Sequence, residues 1–91
     1  MATIQHHCAP NDRNGNPQRC YVLLDLDDVA VAAWDEGYLG NLAVPGIWRE
    51  AAYNAPRIEC TVAAYRHLLR TLPGPDYAYQ VPGYSHLRNP N

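Results

Sequence analysis

An α+β domain is the fold class this sequence predicts, and three observations predict it. Two apolar, β-branched runs, "CYVLLDL" and "VAVAAW", flank Asp27 and Asp28 as the arms of a hairpin flank its turn. The stretch "TVAAYRHLLRTL" repeats its apolar residues at helical spacing. At 91 residues the chain has room for one core, because a chain this short buries only about 60 to 65% of the surface its unfolded form exposes.

Taken in order, residues 1–18 read as a flexible arm. Asn11, Asp12, Asn14, Gly15, Asn16 and Pro17 crowd together there as turn formers with no period of either kind. Residues 19–73 read as the folded domain. A two-residue turn at Asp27 and Asp28 would set Leu26 against Val29, Leu24 against Val31 and Val22 against Ala33 on a face that meets the core. The reverse face then carries Tyr21 opposite Trp34, Leu23 opposite Ala32 and Asp25 opposite Ala30. That is more apolar than a solvated face normally is, so something should cover it.

Beyond the hairpin, Gly37 and Gly40 suit a loop, and Pro45 suits the first turn of a short helix over "GIWREAAYNA" that stops before Pro56. "RIEC" alternates as a third, short strand. Thr61 caps a second helix carrying Val62, Tyr65, Leu68, Leu69 and Leu72 inward, and Pro73 ends it. The expected order is β-β-α-β-α, a small, mainly antiparallel sheet with two helices on one face. Residues 74–91 follow as an extended, irregular tail. The stretch from Pro73 onward holds four of the eight prolines, yet Tyr77, Tyr79 and Val81 alternate, so the tail is expected to lie on the domain, over the spare hairpin face.

Composition excludes several function classes. A formal charge of −2, with seven Arg and no Lys, offers no clustered basic excess for a polyanion, so nucleic acid is not expected as a partner. No apolar run approaches the roughly 20 residues that cross a bilayer, so no membrane is expected. Cys8, Cys20 and Cys60 form an odd set with no secretory leader ahead of them, which implies reduced thiols and a cytoplasmic location.

The motifs for chemistry fail on spacing. Asp25, Asp27 and Glu36 fit positions one, three and twelve of a calcium loop, but Val29 and Ala30 stand where an oxygen ligand and a glycine are required. His6, His7, Cys8 and Cys20 do not form two close ligand pairs for zinc, and no metal or other cofactor is expected. A nucleophilic Cys8 or Cys60 would need His67 or His86 beside it, while the alternation of Cys60 with Ile58 reads as a buried, inert thiol. "GYLGN" lacks the lysine of a phosphate loop. Asp35 and Glu36 point to opposite sides of an extended chain, which suits them poorly for paired acid/base work.

What remains is recognition. Trp34, Asp35, Glu36 and Tyr38 form an aromatic and acidic loop, and Tyr77, Tyr79, Tyr84 and His86 enrich the tail. These eight residues are the expected binding surface of a small protein-binding or inhibitor-like module. Its partner is another protein or a second copy, as a homodimer through the sheet's edge or reverse face. Small motif-free chains of this kind are common on bacterial mobile elements and phages. The alternative is a small enzyme or ligand-binding domain with a pocket between hairpin end and tail, using Asp35, Glu36, Tyr38 and His86.

Overall fold

The computed structural model describes residues 2–36 and 52–74. Among them run four strands and a helix: β1 (Thr3–Ala9), β2 (Gln18–Leu24), β3 (Ala30–Asp35), β4 (Arg57–Glu59) and α1 (Val62–Thr71). The strands form one mixed sheet in the order β3-β2-β1-β4, antiparallel except for the β1·β4 pair, which is parallel. The fold is α+β, and no helix among the described residues is long and apolar enough to cross a membrane.

The first correction concerns the supposed arm. Residues 3–9 form a central strand, paired with β2 from Thr3↔Leu24 to Ala9↔Gln18 and with β4 from His6↔Arg57 to Cys8↔Glu59. The turn formers are the turn of that hairpin. Asp12 Oδ1 accepts from the backbone N–H groups of Asn14 at 2.9 Å and Asn16 at 2.8 Å, and Gly15 takes the left-handed backbone, φ 81°. These donors, Asn16 foremost, hold the Asp12 carboxyl below its ordinary range.

The second correction concerns the β2–β3 turn. Tyr21↔Trp34, Val22↔Ala33 and Leu23↔Ala32 pair as expected, but an irregularity then sets Leu24 opposite Ala30 rather than Val31. Asp25 is the cause. Its Oδ1 captures the N–H groups of Asp27 at 2.8 Å and Val29 at 3.0 Å, while its own N–H bonds to the Val29 carbonyl at 2.9 Å. A side chain that satisfies loop amides this way favours a wider loop over a two-residue turn. Asp28 adopts φ 62°, as an aspartate can. Leu26 and Val29 therefore ride in the loop, each 54% exposed, and not on the core face.

Each face of the sheet is covered. On one, Ala9, Cys20, Val22 and Ala33 pack with Tyr65, and Val62, Leu68, Leu69 and Leu72 lie against them. Thr61 caps α1, its Oγ1 accepting from the Ala64 N–H at 3.0 Å. After Pro73 stops the helix, its carbonyl accepts from the Ala33 N–H at 2.9 Å and so ties the helix end to the outer edge of β3.

The reverse face buries Tyr21, Leu23, Ala32 and Trp34 with Ala2, Ile4 and Ala52. Ala52 and Tyr53 are helical and the turn ends before Pro56; the rest of the first expected helix lies outside the described residues. Ala52 packs on the face opposite α1. The expected layer of two helices on one face is thus replaced, among the described residues, by α1 on one side and Ala52 on the other. The expected packing of the tail falls on residues outside those described.

Candidate functional site

Where β3 ends, its last two acids part. Asp35 turns toward α1, where its carboxylate accepts a short hydrogen bond from the Tyr65 hydroxyl. Glu36 turns to the other face. There its Oε2 lies 2.5 Å from His6 Nε2, and its Oε1 lies 4.0 Å from Arg19 Nη1. The opposite directions are those the extended backbone imposes on neighbouring residues. The two carboxylates cannot work as one acid/base pair.

The register explains the assembly around Glu36. His6 pairs with Tyr21 and Tyr21 with Trp34, so three rings from three strands stand in a row on the reverse face. His6 stacks on Tyr21 with ring centres 4.6 Å apart and planes 22° apart, and Tyr21 meets Trp34 at 6.1 Å, tilted 41°. Such offset and tilted contacts suit the ring quadrupoles. Burial first, then Glu36 and Tyr53, raise the Tyr21 phenol, while Arg19 opposes the shift. His7, on the opposite face with Cys20, has its Nε2 3.0 Å from Gln5 Oε1; burial, then the neighbouring His6, lower its basicity.

Exposure separates the members. Trp34 is only 5% exposed, and its indole N–H is buried with no acceptor among the described residues. It belongs to the core and not to an accessible docking patch. Arg19 and Glu36 keep about a third of their side chains in water, at 33% and 29%, and Tyr53 stands 76% exposed. The accessible part is thus a rim at the buried rings: the Arg19 and Glu36 pair, with Tyr53 exposed near enough to Tyr21 to act on its phenol.

Of the eight residues expected to bind, Trp34, Asp35 and Glu36 are described, and only Glu36 reaches this rim. Tyr38, Tyr77, Tyr79, Tyr84 and His86 lie outside the described residues. His6, Arg19, Tyr21 and Tyr53 were not foreseen. The alternation of Ala2, Ile4 and Cys8 around His6 is the signal that could have placed His6 on a strand.

Cys8, Cys20 and Cys60 are free thiols. Burial, reinforced by Cys60, Asp35 and Cys8, pushes the Cys20 thiol from 9.0 up to about 12, and burial also raises Cys60. A thiol held protonated is a poor nucleophile. The unfolded chain keeps the ordinary value near 9, so the stabilisation tied to the neutral thiol is complete below that pH and is lost as pH climbs toward about 12. Tyr65, raised by burial and by its bond to Asp35, acts in the same direction. We expect the melting temperature to fall steeply above pH 9. Alkylation at pH 8, followed by mass spectrometry, should label Cys20 far more slowly in the native chain than in urea; equal rates would contradict its burial.

Among the described residues, no group of three or more His, Cys, Asp or Glu is placed to hold a metal ion. Comparison with protein-family models, with curated proteins and with solved structures returned no match.

Proposed function

We propose that this chain is a small protein-binding module that works in the cytoplasm, where its three thiols stay reduced, and that it engages its partner through the rim at the end of β3. The single observation that carries the reading is Tyr53, 76% exposed and close enough to Tyr21 to raise its phenol as Glu36 does, with the Arg19 and Glu36 pair about one third exposed on the same ring. Tyrosine and arginine are the residue types that concentrate binding energy at interfaces, and a rigid aromatic bed lowers the entropy lost on docking.

The test is a photoreactive benzoylphenylalanine at position 53 of the full chain, compared with the same group at position 66 on the exposed side of α1. In the cells that express the chain, position 53 should give discrete protein adducts that diminish with Arg19→Ser and Glu36→Gln. No adduct at position 53, or the same adducts from position 66, would overturn the reading.

One observation favours a second reading, a ligand-binding or catalytic domain. The indole N–H of Trp34, buried without an acceptor among the described residues, calls for one, and a small ligand with a carbonyl or carboxylate could supply it. Asp35, turned toward Tyr65, takes no part in that reading, and Tyr38 and His86 lie outside the described residues.

A further inference from the structure

The outer edge of the sheet carries a pattern of its own. The His6 N–H bonds to the Pro56 carbonyl at 2.9 Å and the Cys60 N–H to the Cys8 carbonyl at 3.0 Å. With the parallel register His6↔Arg57, His7↔Ile58 and Cys8↔Glu59, these bonds turn the backbone groups of Ile58 toward β1. The N–H and C=O groups of Arg57 and Glu59 therefore face away from the sheet. Both residues are exposed, and neither makes an ion pair among the described residues. Ile58 is half-buried on the α1 face.

We propose that β4 is a self-pairing edge through which two copies of the chain join antiparallel about a two-fold axis at Ile58. In that register Arg57 of one copy stands opposite Glu59 of the other, and the same holds across the axis. The two outward-facing residues of each strand become the hydrogen-bonded pairs, giving four backbone bonds, and the two Ile58 side chains meet at the close, non-hydrogen-bonded position. Charge selects this arrangement. Centring the axis on Arg57 or Glu59 would oppose like charges, and edges guarded against pairing commonly present charge that repels a copy of itself. Here the sequence Arg-Ile-Glu is complementary to its own reverse.

The other edge is less open, because the Ala33 N–H on β3 is already bonded to the Pro73 carbonyl. A three-residue strand buries much less than the roughly 1,200 to 2,000 Å² of a standard interface, so dissociation constants on the order of 100 μM are expected. The inference rests on the reading of the chain as an interaction module but not on the Tyr53 rim.

Sedimentation equilibrium of the full chain from about 10 μM to 1 mM tests it, with circular dichroism to confirm folding. Wild type should show a monomer–dimer equilibrium. Arg57→Glu and Glu59→Arg, each alone, should weaken it about tenfold. Restoration is the decisive arm: the double variant R57E/E59R should dimerise like wild type, and an equimolar mixture of the two single variants should associate, since each then carries only one sign of charge. A strictly monomeric wild type, or single variants that dimerise unchanged, would overturn the proposal. The crosslinking at position 53 would be untouched by that failure, which keeps the two readings apart.

Discussion

Removing residues 2–9 should abolish cooperative unfolding. The truncation takes away the strand between β2 and β4, leaving one long edge bare and β4 without a partner among the described residues. It also strips Ala2 and Ile4 from the core around Leu23 and Trp34, and Ala9 from the layer under α1. Domains have only about 5 to 15 kcal/mol of stability to lose, and a two-stranded ribbon is marginal in water. Urea titration followed by far-ultraviolet circular dichroism reads the result. A truncated chain with an unchanged transition would mean that the segment is the loose arm its turn formers suggest.

Trp34→Ala should cost about 3 to 5 kcal/mol, since a large ring buried across the middle of the reverse face is replaced by a methyl group. Trp34→Phe discriminates packing from polarity. It keeps most of the ring contact with Tyr21 and removes an indole N–H that is buried without an acceptor among the described residues, a defect that costs about 1 to 3 kcal/mol. We therefore expect the phenylalanine variant to lie within about 1 kcal/mol of wild type, the lost volume being offset by the relieved polar group. A phenylalanine variant as damaged as the alanine one would contradict a buried, unpaired N–H at this position.

The hairpin and α1 were legible because each carries its own local pattern. The strands show as continuous apolar runs on either side of an acidic turn, and Tyr65, Leu68, Leu69 and Leu72 recur at the helical repeat with Thr61 ahead of them and Pro73 behind. The need to cover the Tyr21 and Trp34 face was also legible, since two rings and Leu23 cannot stand in water.

β1 was not. In "ATIQHHCA" the alternation is carried by Ala2, Ile4 and Cys8, with His6 at the position where a third apolar residue would have announced the strand. His6 is tolerated there because Tyr21 stacks on its ring and Glu36 binds its nitrogen, partners 15 and 30 residues away. The same kind of long-range contact hid the rim, for nothing local joins Arg19 to Glu36. The width of the β2–β3 turn was decided by a side chain, Asp25, whose carboxylate competes for backbone donors in a way that no propensity records.

Amide hydrogen exchange across residues 4–8, read by nuclear magnetic resonance on the full chain, tests most directly the claim that the N-terminal segment is the middle of the sheet. The His6 N–H, bonded to Pro56, and its neighbours directed at β2 should exchange as slowly as those of Tyr21 to Leu23, opening only with global unfolding. Exchange at the rate of an unstructured peptide over residues 4–8, with β2 and β3 still protected, would contradict it.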